Sequence, residues 1–186
     1  MHTLLILLIG LAMISFTTIE ATDPDILSDF IVPENLTSID GKSFTFTRMR
    51  KVFEGNPESF QVTKAGVKEF PALEGQSVSF AVLQYPPAGI NPTHTHPRSA
   101  ELLFLVYGCL QVGFVDSKNV LYTQNLTMGD MFVFPKGLVH FQYNPHNNSP
   151  AIALSAFGSA NAGTVSVPAT LFATGIDDEV HQIVQD

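Results

Sequence analysis

The stretch Ala88–Gly108, AGINPTHTHPRSAELLFLVYG, sets two histidines and a carboxylate at the edge of an apolar run. His94 and His96 alternate around Thr95, and Glu101 stands five residues beyond His96. In an extended strand, side chains two apart leave the same face from origins about 7 Å apart. Two imidazoles so placed can close on one ion at about 2.1 Å each. Glu101 is an odd number of residues past His96, so an unbroken strand would turn it to the opposite face. Pro97 permits a bend that brings it back, because proline cannot continue a central ladder. Two imidazoles and a carboxylate oxygen make half a metal site.

A second stretch, Gly129–Asn144 (GDMFVFPKGLVHFQYN), carries one more histidine. Its apolar strand Met131–Phe134 meets the turn signal Pro135-Lys136-Gly137, and His140 then falls between Val139 and Phe141. In isolation, a histidine in such a run reads as a hydrogen-bonded core residue more readily than as a ligand.

Set side by side, the two stretches resemble the paired motifs of the cupin superfamily, most closely those of the plant germins and germin-like proteins. His94, His96, Glu101 and Gly108 fit the first motif, G-x5-H-x-H-x4-E-x6-G, with Ala88 in place of its opening glycine and Gly89 beside it. Gly129, Pro135, Gly137, His140 and Asn144 fit the second, G-x5-P-x-G-x2-H-x3-N. The words NPTHTHPR, DPDILSDF and VPATLF are also germin-like, so the resemblance covers nearly the whole mature chain. It implies an all-β cupin jelly-roll barrel, and His94, His96, Glu101 and His140 as four ligands of one ion per subunit.

Leu4 to Ile14 is almost wholly apolar, too short to span a bilayer comfortably, and followed by polar Thr22-Asp23-Pro24-Asp25. Residues 1–21 are therefore expected to be a signal peptide, and 22–186 a single germin-type domain in the extracellular space, apoplast or cell wall. With 17 acidic against 9 basic residues and no basic run, the chain is not expected to bind nucleic acid, nor is the mature protein expected to enter a membrane. The single cysteine, Cys109, lies in an apolar strand pattern and is expected to be buried. Germin-like proteins resemble one another in an amino-terminal cysteine pair. Ile31 stands where its first member would fall, so this segment is expected to rest on packing alone.

SFTFT (43–47) alternates and reads as a strand. VSFAVLQY, ELLFLVY, CLQVGFV, VLYTQ, MFVFP, LVHFQY and AIALSAF follow as strands. Glu54–Gly75 reads as a long loop with short helical turns. Runs apolar on both faces, such as LLFLV, suit a strand with core on one side and a subunit on the other. A homo-oligomer is expected, at least a dimer, and the resemblance implies a trimer of dimers. Asp177–Gln185 reads as a short C-terminal amphipathic helix, where germin-like proteins usually continue into a clasping helix; the assembly is expected to be weaker for it. Asn35 and Asn125 head clean glycosylation sequons.

Three imidazoles and one carboxylate are too many protein ligands for a hydrolytic zinc site. Nitrogen and oxygen donors suit manganese(II) or iron(II), and the absence of a thiolate argues against copper electron transfer. The resemblance selects manganese. It implies three uses: superoxide dismutation, oxalate oxidation, or a non-enzymatic binding role in the cell wall, within stress or defence. Oxalate-oxidising germins place one asparagine where Asn91 stands and another ten residues earlier, both near the substrate. Here that earlier position is Ala81, so oxalate oxidation ranks last.

Overall fold

The computed structural model describes residues 23–33, 38–55 and 57–177. Among them are ten strands, seven of which (β2 and β4 to β9) follow the β-rich runs: β1 (Gln61–Ala65), β2 (Ser79–Tyr85), β3 (Ile90–Thr95), β4 (Glu101–Tyr107), β5 (Cys109–Val115), β6 (Leu121–Thr127), β7 (Met131–Phe134), β8 (Val139–Tyr143), β9 (Ala151–Phe157) and β10 (Val165–Ser166). They form two antiparallel sheets, ordered β1-β2-β9-β4-β7 and β10-β3-β8-β5-β6. The chain changes sheet repeatedly after β2, in the jelly-roll manner expected from the sequence. A short helix, α1 (Val167–Phe172), follows β10. No helix among the described residues is long and apolar enough to cross a membrane.

The period-two rule is clearest in β4. Glu101, Leu103 and Leu105 are buried, whereas Leu102 and Phe104 face outward at 42% and 37% exposure. The inward set joins Tyr85, Leu110, Val112 and Phe134 in the core between the sheets. Each fully buried aliphatic side chain contributes about 1.5–3 kcal/mol relative to exposure. The core is apolar along most of its length and polar at the end where Glu101 and His140 meet.

Two local expectations are corrected. SFTFT is not a strand: Phe44 packs edge-on against Phe30 at 5.2 Å between centroids, and Phe46 lies 5.5 Å from Phe70. Its alternate phenylalanines anchor the amino-terminal segment to other aromatic rings. Within Glu54–Gly75 the expected loop holds β1, which pairs with β2 from Gln61 opposite Gln84 to Ala65 opposite Phe80. QVTKA gives no period-two signal because neither face is apolar, Val62 sharing one with Lys64 and Ala65 the other with Gln61 and Thr63, which an edge strand tolerates. One short helical turn lies within Glu54–Gly75, a 3-10 turn at Pro71–Leu73; another, Arg48–Phe53, precedes it.

The amino-terminal segment does not rest on packing alone. The Asp23 carboxylate accepts hydrogen bonds from Ser159 Oγ at 2.6 Å and the Ala160 amide at 2.5 Å. Gln76 also donates to the Asp29 carbonyl at 3.3 Å. Cys109 is half-buried rather than buried. The proposed signal peptide, Asn35, and the expected helix beyond Asp177 lie outside the described residues.

Ala88 occupies the left-handed region at φ +55°, while Gly89 does not. The Gly89 amide closes a turn onto the Pro86 carbonyl at 2.8 Å, with Pro87 and Ala88 between them. Proline at the second place and positive φ at the third are what a type II turn requires, and glycine meets the latter without strain. Ala88→Gly is expected to stabilise the protein by about 1 kcal/mol, relief of Cβ strain exceeding the added unfolded-state entropy. The urea midpoint should rise with an unchanged slope.

Candidate metal centre

β3 and β8 bring two histidines into register, with His94 opposite His140. Between Asn91 and His94 the ladder shifts by one residue. That bulge contains Pro92, which has no amide to donate. It reverses the strand's parity, so Asn91 and His94 line one cavity although they are three residues apart. Glu101 arrives by a different route. The chain leaves β3 at Thr95 and crosses to the other sheet, where Glu101 begins β4. Parity counted along one strand is therefore irrelevant to it.

The two motifs are tied together by backbone. Gly137, at φ +77° in the Pro135-Lys136-Gly137 turn, donates its amide to the His96 carbonyl at 3.1 Å. Asn144 closes the other end, donating to the carbonyls of Pro86 at 3.0 Å and Ser149 at 2.8 Å. Both serve as scaffold.

Each imidazole is aimed by a carbonyl. Nδ1 of His94 donates to Pro92 at 2.7 Å, that of His96 to Gly163 at 2.5 Å, and that of His140 to Leu138 at 2.8 Å. Such bonds leave Nε2 as the lone-pair nitrogen. Glu101 Oε2 lies 3.1 Å from His96 Nε2 and 3.2 Å from His140 Nε2. One donor atom from each of His94, His96, Glu101 and His140 lies within 4.8 Å of the other three, and all four residues are buried. That is roughly the span of a shell whose donors stand about 2.0–2.4 Å from one centre. Acceptors facing one another repel unless a cation or protons lie between them, so the arrangement fits a metal ion.

The electrostatics agree. Burial alone would raise the Glu101 carboxyl, but contacts from His140, His96 and Ser155 outweigh it and bring it down to about 2. Burial, then the neighbouring His140, lowers His94 to about 4. At neutral pH the carboxylate is charged and this imidazole is neutral, the states that ligate metal. Both groups bind protons more weakly folded than unfolded. Their stabilisation is complete above the unfolded values and is lost as pH falls, from about 6.5 through 4 for His94 and from about 4.5 through 2 for Glu101. The metal-free protein is expected to lose on the order of 3 kcal/mol between pH 7 and pH 4 through His94. Urea unfolding across that range checks it, and a flat profile would refute it.

His94, His96 and Glu101 border a cavity of about 360 Å³ that also meets Ala81, Asn91 and the exposed Lys64. Asn91 donates to Gln142 Oε1 at 2.6 Å, and Tyr85 reaches the same oxygen at 3.4 Å. Burial and the Glu101 charge hold the Tyr85 hydroxyl well above its usual range. Asn125 is exposed on β6, away from this cluster. Ser155 and Gln142 were not anticipated. The trace of Ser155 in the sequence is a lone polar residue within an apolar strand, and that of Gln142 a polar residue two places from His140.

A jelly-roll barrel with three imidazole nitrogens and one carboxylate oxygen gathered at one end of its core defines a metal-binding cupin. The comparisons agree: the chain belongs to the cupin family, whose profile matches residues 48–183, and within it to the germin-like proteins. It is 58% identical to the putative germin-like protein 9-2 of Oryza sativa subsp. japonica, over 96% of this chain and 86% of that one. It is 41% identical to germin-like protein subfamily 2 member 2 of Arabidopsis thaliana, over 93% and 85%. Among solved structures, an oxalate oxidase in complex with the substrate analogue glycolate superposes with a TM-score of 0.77 at 31% identity, covering 88% of this chain and 90% of that one.

Proposed function

We propose that this chain is a secreted germin-like protein of the plant apoplast that holds one manganese(II) ion through His94, His96, Glu101 and His140 and dismutates superoxide. On this reading residues 1–21 are removed and 22–186 form one domain. The observation that carries it is the convergence of the four donors beside a cavity that reaches exposed side chains. An ion kept only for stability needs no route to solvent. Manganese, when bound, would supply one-electron chemistry by alternating between divalent and trivalent states.

The chain's own residues suit a small anion. Lys64 and Lys68 border the cavity together with Glu69, in a protein whose formal net charge is -8, and lysines at a cleft offset the charge that would repel an anion. Ala81 and Leu83 contribute apolar wall there, so that side of the cavity offers no hydrogen-bond donor to a substrate oxygen. The test is metal analysis of the purified secreted protein with parallel superoxide and oxalate assays. Manganese content near one per chain and superoxide removal that disappears in His140→Ala support the reading. Manganese without either activity would leave an extracellular binding protein.

The outer face of β4 and β7 supports the reading of a homo-oligomer. Leu102 stands opposite Val133 and Phe104 opposite Met131, all four exposed. Such an apolar face calls for a cover. Light scattering at micromolar concentration is expected to give at least a dimer; a stable monomer would refute this. Asn125 and Asn35 are the proposed glycosylation sites.

A further inference from the structure

We propose that Ser155 is a positioning residue for the metal centre: its hydroxyl occupies one oxygen of Glu101, so that the carboxylate offers the ion a single oxygen. This rests on the metal-binding reading above. Ser155 Oγ donates to Glu101 Oε1 at 2.5 Å, and the two residues are 0% and 1% exposed. The other oxygen, Oε2, is the one that approaches His96 and His140. The carboxylate is thereby divided, with one oxygen directed to β9 and one to the histidines.

The register explains why the hydroxyl is committed to Glu101. Ser155 stands on β9 between Ala81 of β2 and Leu103 of β4, neither of which carries a polar side-chain atom. A buried hydroxyl requires a partner, and the Glu101 carboxylate is in reach. A carboxylate free to rotate can bind a cation through both oxygens. Held by Ser155, Glu101 binds through one. The protein then supplies four donors rather than five, and a six-coordinate ion keeps two places for water or substrate. Groups that orient metal ligands in this way typically change affinity about 10–100-fold when removed.

The test compares the wild-type protein with S155A and S155T, each loaded with Mn(II) alone. The readouts are the dissociation constant from chelator competition and the electron paramagnetic resonance line shape of the bound ion. S155A is expected to bind Mn(II) about 10–100-fold more weakly and to show an altered line shape. S155T, which keeps the hydroxyl, is expected to restore both. Should its extra methyl prevent folding, S155C supplies a weak donor of similar size, with values between wild type and S155A expected. A merely structural serine would alter thermal stability and leave the line shape unchanged. An unaltered line shape in S155A overturns the assignment whatever the affinity. A wild type that takes up no Mn(II) overturns the metal reading itself, which is a separate result.

Discussion

Glu101→Gln is expected to weaken manganese binding by well over 100-fold, because removing a ligand should exceed the 10–100-fold cost of removing a supporting group. The substitution preserves volume, so it tests charge rather than packing. Glu101 is 1% exposed, and its Oε2 faces the Nε2 atoms of His96 and His140. An amide there either turns a nitrogen, which cannot ligate, towards the ion or presents a neutral oxygen. Either way three imidazoles lose the anion that offsets the cation's charge. A second signature accompanies the first. Glu101 carries acid sensitivity from about pH 4.5 down through 2, so the metal-free variant should lose that part of its stability profile. Chelator competition and urea unfolding measure the two effects independently. Retention of manganese at wild-type affinity would remove Glu101 from the site.

Oxalate is expected to go unoxidised by the manganese-loaded wild type, at a rate far below the order of 1 per second common among enzymes. Ala81 is 3% exposed and shares a cavity with Asn91, His94 and Glu101, yet offers no donor to a substrate oxygen. The Asn91 amide is itself engaged with Gln142 at 2.6 Å. An apolar wall disfavours a ligand that presents a polar group to it by about 10²-fold. Ala81→Asn restores a donor without touching His94, His96, Glu101 or His140, and is expected to produce measurable hydrogen peroxide from oxalate. The larger side chain costs about 1–3 kcal/mol if the core cannot give way, less where it enters the cavity. Turnover of oxalate by the wild type near 1 per second would end the argument from Ala81. Superoxide removal by wild type and Ala81→Asn alike would show that the two chemistries depend on different walls of the cavity.

Much of the architecture was legible because local rules and the final fold agree. LLFLV reads as apolar on both faces with core on one side only, and the structure decides which: Leu103 and Leu105 are buried, Leu102 and Phe104 exposed. Alternation failed where side chains serve a purpose other than a ladder. Phe44 and Phe46 alternate like strand residues but pack against Phe30 and Phe70 in an irregular segment. QVTKA lacks a strong apolar signal because it forms an edge.

The sequence by itself pointed to the family and, through the resemblance its two motifs carry, named His94, His96, Glu101 and His140 as candidate donors, which the fold brings together. It also determined the face shared by side chains within one unbroken strand, a consequence of the pleat. Only the tertiary structure decided that Glu101 comes from the opposite sheet, that a bulge at Pro92 turns Asn91 towards His94, and that Ser155 holds the second carboxylate oxygen. Those facts depend on sheet pairing and register between residues far apart in the chain. Ser155 and Glu101 are 54 positions apart and meet because β9 lies beside β4. No periodicity along the chain encodes which strands become neighbours; that is set by how their apolar faces close together around the core.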